Sequence, residues 1–331
     1  MYNYSKSFLD KVAIETGFLR DNLEKVFRLG EILHFLSDNQ LAAGHLALKG
    51  GTAINLMVFN MPRLSIDIDL DFSHACSRYE MLDKRASIND NLLNFMFAQG
   101  YALSPNTKNP HSLDSWVFYF PNAVGNRDSI RIEINYSLRN HIFPVEKRKL
   151  NVGFLGMANE VNTLSALELF GTKIKALIER TAARDLYDVH NMLKYDVIQA
   201  DKQSLLRKVV VFYLVIGVKR PIIFPLHFES IESITYNQIR ANLNPVLRKG
   251  EHFDFEVAKT TVKDYLSKLM IPTDSELLFV EKFNQGIYQP DLLFEDETII
   301  ARIKDHPMAV WRTNTQIQPF YFNPRNNFNE L

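Results

Sequence analysis

The segment from residue 64 to residue 72, LSIDIDLDF, limits most strongly what this chain can fold into, because apolar and acidic residues alternate along it. Such alternation is typical of a β-strand, whose successive side chains point to opposite faces. The apolar face would carry Ile66, Ile68 and Leu70, and the acidic face Asp67, Asp69 and Asp71.

The acidic face of this strand indicates a metal site. Side chains two positions apart on a strand are separated by about 6.5 to 7 Å at the backbone, so three like charges would stand in a row beside the core. A cation would neutralise them, and oxygen ligands suit magnesium, which binds through one or two carboxylates plus substrate phosphates. The alternative is a solvent-facing polar strand, although aspartate is depleted in strands. The row leaves open which two of the three carboxylates bind the ion.

A glycine turn lies shortly before this strand. The apolar run HLALK, residues 45–49, ends at Gly50, Gly51 and Thr52, after which apolar residues recur at helical spacing. Two glycines let the backbone approach a ligand closely, and amides at a helix start offer donors to an anion. These residues are candidates for a phosphate loop, with the Thr52 hydroxyl as a further donor. An ordinary turn is the alternative, and the nearby aspartates favour the phosphate loop.

A third carboxylate is predicted on a later strand. Residues 115–120 (SWVFYF) and 129–136 (SIRIEINY) both read as strands, and Glu133 lies in the second. A neighbouring strand could bring Glu133 to the same metal, as a ligand or as a base for an attacking hydroxyl. A salt-bridged surface glutamate is the alternative.

The chain changes character after residue 164, where long helical patterns begin. Ser165 and Glu168 match a capping box that starts an amphipathic helix. Lys173 and Arg180 are seven residues apart and lie nearly in line along this helix, where two cations could face a triphosphate. Lys173 could equally be a surface lysine.

A second helix is predicted after a short break at residues 181–183. Asp185 and Asp188 are three residues apart and share one of its faces. They could cap the helix and bind Arg184, or they could orient Lys173 and the incoming acceptor.

Composition excludes several classes of protein. The 38 basic and 38 acidic residues cancel, so no overall positive field would capture nucleic acid without regard to sequence. The single cysteine, Cys76, excludes an intramolecular disulfide and a cysteine-based zinc site, which fits a reducing compartment. We found no secretory signal and no apolar stretch of membrane-spanning length. We therefore expect a cytoplasmic protein without membrane contact.

Five segments together resemble the AbiEii/AbiGii nucleotidyltransferase family, the toxin half of type IV toxin-antitoxin and phage-resistance systems. They are LKGGTAINL (48–56), RLSIDIDLDF (63–72), IRIEI (130–134), KIKALIERTAARDLYDVHNML (173–193) and FNQGIYQPDLLFEDETIIARIKDHPMAVW (283–311). The resemblance implies an α+β protein. A polymerase-beta-like nucleotidyltransferase lobe with a small mixed sheet would span residues 1–155, and an α-helical C-terminal lobe, residues 156–331, would contribute to the active-site cleft.

The resemblance also implies roles for individual residues. Those expected to hold the nucleotide are Gly50, Gly51, Thr52, Arg63, Ser65 and Lys173. Those expected to act in catalysis are Asp67 and Asp69, which would bind the metal, together with Lys173, Asp185, Asp188 and Glu133. Two positions depart from the family pattern: many members have Gly-Ser at positions 50–51, and the third strand acid is often aspartate where this chain has Glu133.

The function that follows is transfer of a nucleoside monophosphate from an NTP to an acceptor hydroxyl, with magnesium as cofactor and release of pyrophosphate. By analogy with relatives, the acceptor would be the 3′ end of tRNA, and a cognate antitoxin would be encoded nearby. DNA is not an expected partner. The alternatives are a nucleotidyltransferase that modifies a small molecule or a protein, or a non-catalytic nucleotide-binding regulatory module.

Overall fold

A seven-stranded mixed sheet forms the centre of the N-terminal half of the protein. The computed structural model describes residues 4–105, 107, 109–110, 112–150, 160–217 and 220–316. The strands are β1 (Leu46–Leu48), β2 (Asp67–Phe72), β3 (Ala102–Leu103), β4 (Leu113–Pro121), β5 (Arg127–Asn135), β6 (Glu146–Lys149) and β7 (Glu160–Thr163). Their order across the sheet is β3-β4-β5-β2-β1-β7-β6.

The centre of the sheet places the acidic strand between two partners. Strand β2 runs parallel to β5 and antiparallel to β1, and β1 runs parallel to β7. The remaining pairs, β3 with β4, β4 with β5, and β6 with β7, are antiparallel. The side chains of Ile68, Leu70 and Phe72 are buried, as the alternation predicts, so the apolar face of β2 is part of the core.

Helices surround the sheet and build the second half of the chain. Those before residue 100 are α1 (Lys6–Thr16), α2 (Arg20–Asp38), α3 (Gln40–His45), α4 (Gly50–Ala53) and α5 (Arg78–Ala98). Helix α4 continues directly into a π-helical turn, Ile54–Val58. The later helices are α6 (Ala166–Arg180), α7 (Ala183–Lys194), α8 (Gln203–Gly217), α9 (Tyr236–Asn242), α10 (Phe255–Leu269), α11 (Asp274–Asn284), α12 (Glu297–Ile303) and α13 (Pro307–Gln316).

Two of these later helices connect the sheet to the helical half. Helix α6 packs against α7, against α8 and against α4, which itself packs on β2. The start of α6 is capped by the Ser165 hydroxyl, which accepts a hydrogen bond from the Glu168 backbone amide. Thr181, in the left-handed conformation, ends α6, so α7 can turn back along it.

The predicted α+β class is confirmed. The structure extends the predicted strand at 115–120 by two residues at its start and one at its end. It starts the strand predicted at 129–136 two residues earlier and ends it one residue earlier, and it starts the acidic strand at Asp67 rather than at residue 64. The capping box predicted at α6 is only half formed, because the Glu168 carboxylate turns inward to the backbone amides of Ile142 and Phe143.

Three strands have no counterpart in the sequence prediction: β3, β6 and β7. The charged run at residues 147–149 lies in β6 and pairs with β7. The predicted lobe boundary at residues 155 and 156 lies outside the described residues, and β7 after it still belongs to the sheet. Among the described helices, none has the length and apolarity needed to cross a membrane.

Candidate active site

The glycine turn is packed directly against a carboxylate of β2. Gly50 has a φ of +66°, a left-handed conformation that side chains disfavour, and a Cβ there would lie 2.5 Å from Asp69 Oδ2. The backbone amide of Lys49 donates to the Asp69 carbonyl at 2.9 Å, which fixes the turn to the strand. At the next position, a Cβ on Gly51 would lie 2.8 Å from an Nη atom of Arg63. A side chain at residue 50 would be strained by the positive φ and would displace the Asp69 carboxylate, and one at residue 51 would displace the Arg63 guanidinium.

The three aspartates of β2 have different surroundings, and this separates their roles. Asp67 and Asp69 are partly exposed. Asp71 is 1% exposed and forms an ion pair with the Lys49 ammonium group. Because Asp71 already has a counter-charge, Asp67 and Asp69 are the pair with carboxylate oxygens available to a ligand.

Glu133 lies beside this pair, on the neighbouring parallel strand. In the register between β2 and β5, Glu133 is opposite Asp69. Its carboxylate accepts a hydrogen bond from the Ser115 hydroxyl at 2.8 Å and lies 3.8 Å from an Arg131 nitrogen. The predicted neighbouring strand thus carries the glutamate to the same part of the sheet as the aspartates.

Repulsion among these acids marks the place where a cation fits. The pKa of Asp69 is raised to about 6: burial is the largest cause, and the nearby charges of Asp67 and Glu133 add to the rise, while Lys49 and Lys173 oppose it. Within the described residues, no group of three or more His, Cys, Asp or Glu side chains is arranged to hold a metal ion. Two carboxylates completed by substrate phosphates are the donor set that magnesium uses in nucleotide sites, so Asp67 and Asp69 fit this ion.

Asp188 is the centre of a buried network below the glycine turn. Its carboxylate is fully buried and accepts two hydrogen bonds from the Arg63 guanidinium, at 2.7 and 2.9 Å. The Asn55 amide donates to Asp188 at 3.1 Å and to the Gly51 carbonyl at 2.9 Å. Lys173 Nζ lies 3.1 Å from the other carboxylate oxygen. Asp188 therefore links helix α7 to the glycine turn, to Arg63 in the segment before β2, and to α6.

Asp185 forms the outer half of the same network. It accepts from Lys173 at 3.0 Å and from the Arg180 guanidinium at 2.7 and 3.0 Å. Burial raises the pKa of both acids, but the neighbouring cations outweigh it. Lys173 and Arg180 hold the pKa of Asp185 below its usual range, and Arg63 and Lys173 do the same for Asp188. Burial alone would likewise lower the pKa of Lys173, but Asp188 and Asp185 raise it above the ordinary value. Both acids and the lysine are ionised at neutral pH.

Four residues with roles expected from the sequence make contacts within the protein. Thr52 is fully buried, and its hydroxyl donates to the Asp67 carbonyl, which braces β2. Ser65 is 7% exposed and lies 2.9 Å from the Thr52 hydroxyl. The guanidinium of Arg63 is bound to Asp188 and to the Leu64 carbonyl, so it supports the turn from below. Arg184 does not bind Asp185 or Asp188 but donates to the Asn242 carbonyl at 2.7 Å.

Sequence reasoning gave no role to two residues of the site and a different partner to a third. Lys49 pairs with Asp71, and Asn55 joins the turn to α7. Arg184, expected to bind Asp185 and Asp188, interacts electrostatically with Asp67. Helical spacing could have identified Asn55, because it lies four residues after Gly51 in the helix that the turn begins. Lys49 and Arg184 carry no pattern that distinguishes them from surface cations.

A glycine turn against paired strand carboxylates, with a helical half that supplies cations, is the arrangement of a nucleotidyltransferase. The fold agrees: the structure of MenT4, nucleotidyltransferase toxin Rv2826c from Mycobacterium tuberculosis H37Rv, superposes with a TM-score of 0.62 at 15% identity, over 93% of this chain and 99% of that one. The profile of a family described as "Nucleotidyl transferase AbiEii toxin, Type IV TA system" matches residues 34–266. The chain therefore belongs to the AbiEii family of nucleotidyltransferase toxins. No curated protein sequence matches it.

Proposed function

We propose that this toxin transfers a nucleoside monophosphate from an NTP to a hydroxyl at the 3′ end of tRNA, with magnesium, and releases pyrophosphate. The observation that carries the proposal is the contact between Gly50 and Asp69, where a Cβ would come within 2.5 Å of the carboxylate. The contact places the Gly50 backbone, which can bind phosphate, directly beside the Asp69 carboxylate, which can bind a cation.

The triphosphate would lie on the glycine turn. The amides of Gly50 and Gly51 begin a helix and face an anion favourably. Lys173, held by Asp185 and Asp188, is close enough to Asp69 to lower its pKa and contributes fixed positive charge. Arg180, whose side chain is 64% exposed, is the cation best able to reach the departing pyrophosphate.

Asp67 and Asp69 would hold the magnesium ion, which, when bound, supplies positive charge against the negative charge that develops on the α-phosphate. The acceptor oxygen forms a bond to the α-phosphorus while the bond from that phosphorus to the bridging oxygen breaks, and pyrophosphate leaves. Glu133, opposite Asp69 on the adjacent strand, would take the proton of the acceptor hydroxyl. Asp185, Asp188 and Arg63 act as positioning residues in this scheme.

The tRNA acceptor is supported by the family assignment and by the charge of the site, but neither fixes the acceptor. The family implies that an antitoxin partner counteracts this activity. A protein side chain or a small molecule would need the same glycine turn and carboxylates, so the test must offer all three acceptors.

The experiment is a transfer assay with purified protein, magnesium, each NTP labelled on the α-phosphate, and total tRNA, total protein or small hydroxyl compounds as acceptor. We expect label on tRNA that is lost in Asp67→Ala and Asp69→Ala and reduced by at least about 100-fold in Glu133→Gln, the typical effect of losing a general base. Asp128→Asn, on the far end of β5, is the matched control and should retain activity. Label on protein or on a small molecule with none on tRNA would contradict the proposed acceptor.

A further inference from the structure

A groove lined with arginines lies away from the active site, between the sheet and the last two helices. Two adjoining cavities, of about 430 and 660 Å³, share the lining residues Arg78, Arg139, Pro307 and Trp311. We call this pair of cavities the arginine groove. Its walls are the segments that follow β2 and β5, together with α12 and α13.

The charge of the groove favours an anion. Arg78, Arg139 and Arg302 line it, and Asp305 is the only acidic side chain among the described residues that do so. The whole chain has no net charge, so this is a local excess of positive charge. Arg302 donates to the backbone carbonyls of His141 and Phe143, which fixes one of these charges in place.

Arg139 has donors that the protein does not use. Its Nε and Nη1 atoms are buried and have no hydrogen-bond partner within the described part of the chain. Unpaired buried donors carry a cost that a ligand with strong acceptor oxygens would remove. The planar guanidinium matches a phosphate group in particular, because it can donate two parallel hydrogen bonds.

Trp311, in α13, adds a second kind of contact to the same groove. It is 56% exposed, whereas the other tryptophan, Trp116, is 1% exposed in the core. A large exposed ring beside arginines is unfavourable for a surface that only meets water, but it is a stacking platform for a nucleobase. The combination of ring and phosphate donors favours nucleic acid over an acidic protein segment, which would use the charges and not the ring.

We propose that the arginine groove binds a single-stranded segment of the acceptor RNA, with a phosphate on Arg139 and a base stacked on Trp311. The inference rests on the proposed function, in which the acceptor is an RNA. The groove begins after Phe72, where β2 ends, and Asp69 is three residues earlier, about 10 Å along the strand. It would therefore hold a part of the RNA away from the reacting 3′ end and set which RNA is brought to the site.

The test measures RNA binding without NTP or magnesium, so it does not depend on catalysis. Single-stranded RNA oligonucleotides are titrated into the protein while tryptophan fluorescence is followed. Because Trp116 is buried, quenching should come from Trp311 and should vanish in Trp311→Phe. Arg139→Ala should weaken binding roughly tenfold or more, as expected for a lost bond to a charged group. It should also reduce the slope of log affinity against log salt by about 0.7, the value for one phosphate contact on a single strand. Arg240→Ala, on an exposed face of α9, is the matched control and should leave both quantities unchanged.

The two proposals can fail separately. If wild-type protein labels tRNA and Arg139→Ala and Trp311→Phe bind and label it equally well, the groove is not an RNA site and the proposed function stands. If no RNA is labelled but the oligonucleotides bind as described, the acceptor assignment fails, and the groove is an RNA-binding site that does not serve the transfer reaction. Binding of polyglutamate in place of RNA, with no quenching by RNA, would overturn the groove assignment in favour of an acidic protein partner.

Discussion

Replacing Asp188 with asparagine should destabilise this protein far more than an ordinary point substitution. The carboxylate is fully buried and faces two cations, Arg63 and Lys173, which are 2% and 7% exposed. Loss of the negative charge leaves Arg63 inside the protein without a counter-charge and leaves Lys173 with Asp185 alone, which it shares with Arg180. Removing one partner of a buried ion pair costs about 3–5 kcal/mol, and the whole fold of a typical protein is stable by only about 5–15 kcal/mol. We expect Asp188→Asn to lower the free energy of unfolding by about 3–5 kcal/mol.

Asp185→Asn provides the comparison within the same network. Its partner Arg180 has a side chain that is 64% exposed and can turn to water, and Lys173 keeps Asp188. The expected loss is about 1–3 kcal/mol, that of hydrogen bonds to a charged group. Urea unfolding at pH 7, followed by circular dichroism without nucleotide or metal, measures both variants.

A double-mutant cycle tests whether the cost comes from the uncompensated cations. Adding Arg63→Met to Asp188→Asn removes one of them, so the double variant should be less destabilised than the sum of the two single losses. The reasoning is refuted if Asp188→Asn costs no more than Asp185→Asn, or if the cycle shows simple additivity.

Three further predictions concern the glycine turn and the acids. Gly50→Ala should cost more stability than Gly125→Ala: both glycines have positive φ, worth about 1–2 kcal/mol, but only at residue 50 would the new methyl group meet a neighbour within 4 Å, the Asp69 carboxylate. Asp69→Asn should stabilise the metal-free protein at pH 7 by up to about 3 kcal/mol and not at pH 4. The pKa of Asp69 is about 6 in the folded protein, above its ordinary value, so the ionised carboxylate destabilises the fold only at a pH above that ordinary value. An equal effect at both pH values would contradict this. The difference in stability between wild type and Asp188→Asn should close as pH falls below about 4. A carboxylate whose pKa is lowered in the folded protein stabilises the fold above its unfolded pKa and loses that contribution when it is protonated. Urea unfolding at a series of pH values would measure the effects of Asp69→Asn and Asp188→Asn.

Local patterns were sufficient to predict the parts of the site that lie on one element. The alternation around Asp67 and Asp69 predicts a strand because a two-residue period has one structural meaning. The turn at Gly50 was predicted because glycine lets a backbone make close contacts, and the structure packs it against the Asp69 carboxylate. The helix that carries Lys173 follows from a start signal at Ser165 and a regular apolar stripe.

Features that depend on distant contacts were not predictable. Whether Arg63 faces a phosphate or a carboxylate depends on α7, 125 residues later, and the sequence around Arg63 contains no sign of it. The inward turn of the Thr52 hydroxyl depends in the same way on where the Asp67 carbonyl lies. Strands β6 and β7 are four residues long, and their pairing with each other and with β1 stabilises them more than their own composition does.

The pairing of Arg63 with Asp188 also has a consequence for the timing of toxicity in a cell. A ribosome exposes the glycine turn and the aspartates of β2 long before it makes α7, so a growing chain has the proposed phosphate and metal ligands without the partner that holds Arg63 and Lys173 in place. The ordered site cannot form until synthesis has passed residue 188. Prematurely terminated products of this gene that end before that point should therefore be harmless to their host.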